Sequence, residues 1–445
     1  MRFLQQRNRL TRRELIAGAA AAPFAVLARR GDAQISVQNV RAANTARACI
    51  FINLRGAPSH LDTFDVKDAP WNPAGADIRP TAAGFLLSRA VFPEMFKLAG
   101  DMVILRSVTS WEAAHDRGQF YLQTAHPSNP AFAAETPGIG AIIGLERASA
   151  GPLPPFLAFN NQTPQGATFL GGRFDPLTPG VNRAGIGTLQ HNFYGAQSQP
   201  RFEQKYKLLR ALDEPVRTNY PDEVMSAHAA YYDSARSLMY NSAIASVFQY
   251  TADDEGRYGN TPVGRGAIVA RNAVRAKNGA VFITVVQDGW DTHQNMWDRT
   301  YTPNIYQLGG DLDRAAGALV TDLKTSGDFA QTLIVIMGEF GRTPGPLNAR
   351  LGRDHHKDAM SVVMLGGGIR GGRVIGATDA NGAKVVEPGW SANRSIYMED
   401  IAATVYSALG INWTKSIIDT PSGRRFEYIP YADQGQYLPV AEVFA

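Results

Sequence analysis

A single cysteine, Cys49, stands in 445 residues, so no intrachain disulfide can form and stability must come from a buried core. It lies in the apolar run ARACIFINL and is expected to pack there as a small hydrophobe. Long apolar runs are missing too. None reaches the ~20 residues that a membrane-crossing helix needs, so no stable span is expected. There is no Gly-x-Ser-x-Gly elbow, which argues against an α/β-hydrolase. The glycine-rich GGGIRGG (366–372) lacks a Lys-Ser/Thr ending and a following helix, so it reads as a turn and not as a phosphate loop. Internal repeats and low-complexity tracts are absent. An excess of one charge sign is only superficial. The net charge is +4, but residues 1–33 hold seven arginines and two acids, which leaves the remainder at −1. The isoelectric point of about 9.0 therefore gives no support for a nucleic-acid partner.

What is present begins with paired arginines, Arg12 and Arg13, before a short run of small and apolar residues. This pattern matches a twin-arginine export signal over residues 1–33. Cleavage is expected after Ala33, with Ala28 as the rival, and localisation would be periplasmic or secreted. The twin-arginine translocase would then be a transient partner. Residues 34–46 read as a linker and 47–445 as one domain.

Six nearly continuous apolar runs, at 48–54, 101–108, 155–160, 280–287, 332–338 and 361–367, have the character of strands buried on both faces. Helical spacing is predicted over 234–250, over 306–326 and in MEDIAATVYSALGIN. Alternating strands and helices predict an α/β domain with a mostly parallel central sheet covered on both faces. The stretch from about 160 to 230 is rich in Gly, Pro, Asn and Gln and reads as an irregular insertion.

Ligands in such sheets bind beyond the carboxyl ends of the strands. Here those ends carry the unusual polar residues. Asp291 and His293 follow one strand in DGWDTH, Glu339 and Arg342 follow another in GEFGRTP, and His115 opens a helix after a third. Asp354, His355 and His356 lie in GRDHHKD. Imidazole and carboxylate together suit a divalent metal, though Asp-x-His alone fits a solvated turn equally well. Adjacent histidines on extended backbone point opposite ways, so His355 or His356 can ligate but not both. His355 is the expected ligand, with Asp354 or His356 orienting it. Glu339 and Arg342 also fit a simple ion pair, and His115 a helix cap.

Taken in order, RGAPSHLDTFD, HDRGQFYLQTAHP, GWDTH, GEFGRTP, GRDHH and GGGIRGG resemble an exported bacterial family, DUF1501, from about residue 47 to 412. The resemblance implies an alkaline-phosphatase-like or sulfatase-like fold and an ancestry in two-metal hydrolysis of phosphate or sulfate esters. It implies further that Leu54-Arg55-Gly56 replaces a metal-binding Asp, that His115 stands where a Ser or Thr nucleophile would, and that Glu339-Phe340-Gly341 replaces Asp-His-Gly. One metal site is thereby lost. The other would persist as Asp291, His293 and His355, with Asp and His two residues apart where the superfamily spaces them by four.

The expectation is an exported hydrolase of small or polymer-linked anionic esters holding at most one divalent metal (Zn, Mn, Ca or Mg). His115 would be nucleophile or base, Arg55 or Arg342 would hold the anionic group, and Arg55 would contact Glu339. The alternative is a non-catalytic binding or cell-envelope protein on the same fold.

Overall fold

The computed structural model describes residues 35–36, 40–148, 151–183, 185, 198–219 and 241–444. The proposed signal at 1–33 lies outside them. So do residues 234–240 of one predicted helix, of which Ser242–Phe248 is helical.

Seven strands form the central sheet: β1 (Ala48–Leu54), β2 (Met102–Val108), β3 (Phe156–Phe159), β4 (Phe282–Gln287), β5 (Thr332–Met337), β6 (Met360–Leu365) and β7 (Arg373–Ile375). Their order is β7-β2-β6-β5-β1-β4-β3. All pairings are parallel except those of β6, which runs antiparallel to both β2 and β5. The expected mostly parallel α/β sheet is therefore present.

Side chains of a strand alternate between faces, and β1 shows what each face buries. Ile50, Ile52 and Leu54 pack on one side with α3 (Pro262–Ala276) and α4 (Ile305–Ser326). Cys49 and Phe51 pack on the other with α1 (His115–Thr124), α2 (Ile139–Arg147) and α5 (Met398–Ala408). Cys49 is a core residue, as expected, and burial pushes its thiol well above the ordinary range.

Within the stretch 160–230, Ser198–Asn219 is a helix. Its FEQKYKLLRALDE segment is built of strong helix formers. Part of the 34–46 segment is held against the domain. The amides of Asn44 and Ala46 donate to the carbonyls of Ser407 and Ala408 at the end of α5, and Ala46 is buried.

Because β1, β2, β4 and β5 are parallel, their carboxyl ends share one edge of the sheet. β6 runs the other way, so the chain entering it at Met360 brings the preceding GRDHH segment to that same edge.

Candidate metal centre

Trp290 is fully buried and anchors the turn after β4. Its amide donates to the Arg55 carbonyl, while the amides of Thr292 and His293 donate to the carbonyls of Trp290 and Asp291. With the indole fixed inside, Asp291 is left partly exposed at the rim and His293 beside it. Gly56 lies against this turn with φ +105°. A Cβ there would sit 2.5 Å from the Asp291 amide nitrogen, so only glycine fits.

After β5, Glu339 turns inward and is completely buried. Its Oε1 accepts from the Gly56 amide (3.1 Å) and from His115 Nδ1 (2.7 Å). Its Oε2 accepts from the Ala57 amide (3.2 Å) and Gln119 Nε2 (2.8 Å). Arg342, also fully buried, holds the same turn from its oxygen side. Nε donates to Ala57 O (2.8 Å) and Nη2 to Gly56 O and Asp291 Oδ1 (2.5 Å). Nη1 reaches Arg353 O and His293 Nε2, both at 3.3 Å. All five guanidinium N–H groups are thus engaged.

Gly341–Arg342 pairs antiparallel with His355–His356, placing Arg342 opposite His355. Neighbours on a strand point to opposite faces. His355 therefore enters the site, where Phe340 lies under both its ring and that of His115 at centroid distances of 4.9 and 5.0 Å. His356 faces away, bonds the Ala383 carbonyl through Nε2 (2.7 Å) and packs beside His60. Strand alternation thus removes His356 both as a candidate metal ligand and as the residue orienting His355.

The tautomers of the other three histidines follow from their partners. His115 Nδ1 faces Glu339, His293 Nδ1 faces Asp354 Oδ1 (2.7 Å) and His355 Nδ1 faces the Ala113 carbonyl (2.8 Å). Ionised carboxylates and carbonyls only accept, so each Nδ1 carries the proton and each Nε2 presents a lone pair. Those lone pairs converge. Asp291 Oδ1 is 3.1 Å from His115 Nε2, 3.0 Å from His293 Nε2 and 3.5 Å from His355 Nε2. The Nε2 atoms of His293 and His355 are 3.1 Å apart. His115 Nε2 is buried and lacks a hydrogen-bond partner.

Arg342 relieves two of these four electron-rich atoms, Asp291 Oδ1 and His293 Nε2, and a metal cation lying among them would relieve all four. A cation with bonds of 2.0–2.1 Å to tetrahedral ligands sets them about 3.3 Å apart. The donor set, the bare Nε2 of His115 and the three Nδ1 anchors therefore fit a divalent metal. His115, Asp291 and His355 form one such group, with ligating atoms all within 4.8 Å of one another. His293 is the fourth candidate, shared with Arg342.

The protonation states of Asp291 and His355 agree with this arrangement. Burial pulls the Asp291 carboxyl up, but the Arg342 hydrogen bond and charge outweigh it and hold the pKa at about 2. Burial, with Arg342 and His115 nearby, lowers the imidazole of His355. The hydrogen bond to Glu339 raises that of His115, which favours a proton on Nε2 facing Asp291, so a metal entering here must displace that proton.

Two sequence expectations for the anion-holding groups fail. Arg55 makes no Glu339 contact. Its Nε lies 3.5 Å from Asp288 Oδ1, and both side chains are partly exposed. Glu339 meets peptide amides instead. Arg342 is sealed and has no free N–H for a substrate. Glu339 is likewise enclosed and acts on His115 as a positioning group.

Sequence reading missed Asn53, Gln119, Phe340 and Asn348. Asn53 Nδ2 donates to Gln119 Oε1 (2.8 Å), the amide that in turn supports Glu339. Its signal was available, as the only polar residue in the otherwise apolar strand ACIFINL. Beside the cluster opens a cleft of about 450 Å³ lined by Asp291, Thr292, His293, Gln294, Tyr301, Pro303 and Arg350.

With this geometry in view, residues 46–434 match the family model described as "Protein of unknown function (DUF1501)". Among solved structures, the chain is similar to a phosphonate monoester hydrolase from Silicibacter pomeroyi at 13% identity and TM-score 0.40, over 90% of this chain and 76% of that one. It is also similar to a lipoteichoic acid synthase from Listeria monocytogenes, at 10% identity and TM-score 0.37 over 87% and 78%. A protein in the alkaline phosphatase superfamily from Vibrio parahaemolyticus matches at 11% identity and TM-score 0.36, over 85% and 70%. No curated protein matches.

Proposed function

The chain belongs to the DUF1501 family, and from its site we propose that it is a hydrolase of anionic esters using one divalent cation held by His115, Asp291 and His355, with His293 as fourth ligand. The observation that carries this reading is the set of three imidazoles, each tied at Nδ1 and each aiming Nε2 at one Asp291 oxygen. Such second-shell acceptors fix tautomer and ring orientation and raise ligand basicity. When bound, the cation supplies Lewis-acid polarisation of an ester oxygen and a nucleophile drawn from water at neutral pH.

The chain's own residues do the rest. His115 serves as ligand in this reading and not as nucleophile, because its Nε2 lies against Asp291. Glu339 and Arg342 keep the Gly56-Ala57 turn and Asp291 in place, so little reorganisation is needed on binding. Asp291, at the rim of the cleft, is the point where site and substrate space meet. We also propose export through the twin-arginine signal. No helix among the described residues is long and apolar enough to cross a membrane.

A second reading is a metal-free binding protein, favoured by one observation: Arg342 already neutralises Asp291 from within. The two part on a single experiment. Protein purified without chelator is analysed for metals, then titrated with zinc and manganese after dialysis and assayed on aryl phosphates and aryl sulfates. The proposal expects one equivalent bound, lost in His355→Ala and His115→Ala, and ester cleavage that follows metal content. Folded protein that binds neither ion overturns it in favour of the second reading.

A further inference from the structure

An anionic ester needs a cation in the cleft to hold its anionic end, and neither sequence candidate can serve. Arg342 has spent all five N–H groups inside the protein. Arg55 turns to Asp288 and is not among the residues lining the cleft. Of the lining residues only one is cationic, and it is Arg350.

Arg350 combines a fixed backbone with a loosely held side chain. Asn348 Oδ1 accepts from the amides of Arg350 (2.9 Å) and Gly352 (3.0 Å), and Asn348 Nδ2 donates to the His293 carbonyl (3.2 Å). The amides of Asn295 and Met296 donate to the carbonyls of Arg350 and Leu351. These bonds stitch the 348–352 turn to the 293–296 segment and make one wall of the cleft. The side chain itself is 59% exposed, and its Nη2 lies 3.2 Å from Asp354 Oδ1. An exposed, solvent-screened pair of this kind contributes little, so the side chain can leave it readily. Asp354 would keep its bonds from His293 Nδ1 and Asn348 Nδ2.

We propose that Arg350 is the substrate-anchoring residue, swinging from Asp354 to grip the tetrahedral oxyanion of a phosphate or sulfate monoester by its two parallel N–H donors. The cleft volume lies near the low end of the range for small-molecule pockets, and its walls carry the polar side chains of Thr292, Gln294 and Tyr301. That fits an ester of a compact alcohol. The assignment deepens the hydrolase reading above and rests on it for the reacting end of the substrate.

The test is calorimetric titration of the full chain, with and without zinc, using inorganic phosphate and inorganic sulfate as probes. Wild type is compared with Arg350→Ala, Arg350→Lys and, as a charge control outside the cleft, Arg299→Ala. Loss of a bidentate charged contact should weaken the anion by about tenfold or more in Arg350→Ala. Arg350→Lys keeps the charge without the fork and should fall between. Arg299→Ala should match wild type, and zinc affinity should be unchanged in all three. A preference for phosphate or for sulfate identifies the ester, and either supports the assignment. Equal anion binding by wild type and Arg350→Ala overturns it, as does failure of wild type to bind either anion. Arg350-dependent binding in a chain that takes no zinc would uphold this inference while sinking the metal reading. Zinc binding with indifference to Arg350→Ala would do the reverse.

Discussion

Glu339→Gln removes one negative charge and one acceptor oxygen from a fully buried position while keeping the shape. The carboxylate accepts four N–H groups, two on each oxygen. Glutamine keeps one oxygen, so two donors must face an NH2. In the better orientation the oxygen stays with Gly56 and His115. Gln119 can then present Oε1 only if Asn53, whose Nδ2 donates to that oxygen, rotates its amide as well, and the Ala57 amide is stranded even so. A buried unsatisfied group costs about 1–3 kcal/mol, and hydrogen bonds to a charged partner are worth about 1.5–3 kcal/mol. The expected destabilisation is therefore about 2–3 kcal/mol. Glu339→Ala strands all four donors and should exceed it. Urea unfolding at pH 7, followed by tryptophan fluorescence and circular dichroism, measures the difference at constant m. A Glu339→Gln protein as stable as wild type would show that the four N–H groups do not depend on the anion, and the account of the Gly56-Ala57 turn would collapse with it.

Glu399, at the start of α5, is pushed up to about 8 by burial and is bonded by the Tyr121 hydroxyl from α1. A carboxyl with a raised folded pKa adds stability that is complete below its unfolded value near 4.5 and is lost as pH climbs through the folded one. Urea unfolding should thus find wild type losing a few kcal/mol between about pH 5 and 8 relative to Glu399→Gln, at 1.36 kcal/mol per pKa unit; parallel pH curves would refute this. Asp354→Asn should weaken zinc binding by about 10–100-fold through His293, while His356→Ala, whose ring faces Ala383, should leave it unchanged. Zinc competition against a chromophoric chelator checks both, and a large loss in His356→Ala would contradict the strand alternation of His355–His356.

Strand positions were legible because buried parallel strands are continuously apolar, and their ends were legible because function supplies polarity there. That is why His115, Asp291, Glu339, Arg342 and His355 could be gathered from widely separated stretches of the chain. What the sequence did not show is which side of a residue does the work. His355 and His356 are adjacent and chemically identical, and only the pairing of Arg342 with His355 separates them. Arg55 and Arg342 both follow strands. Their difference is that Arg342 faces a turn with free carbonyls and Arg55 faces solvent and Asp288. Arg350 carried no motif at all, because its role depends on a cleft wall assembled from 293–296 and 348–352.

The expected salt bridge between Arg55 and Glu339 is replaced by something stronger in its structural effect. The peptide groups of Gly56 and Ala57 lie between an acid and a base, with both N–H groups on Glu339 and both C=O groups on Arg342. Each buried charge is satisfied by backbone dipoles and not by its opposite alone, which meets the cost of burying it. Those same two side chains continue outward, Glu339 to His115 and Arg342 to Asp291. The end of β1 is thus locked to two of the proposed metal ligands, one through each charge. A slot filled in this way needs no cation of its own, and it gives the neighbouring cluster a rigid floor. The arrangement explains why a chain with a single centre would retain two fully buried, oppositely charged residues at its strand ends.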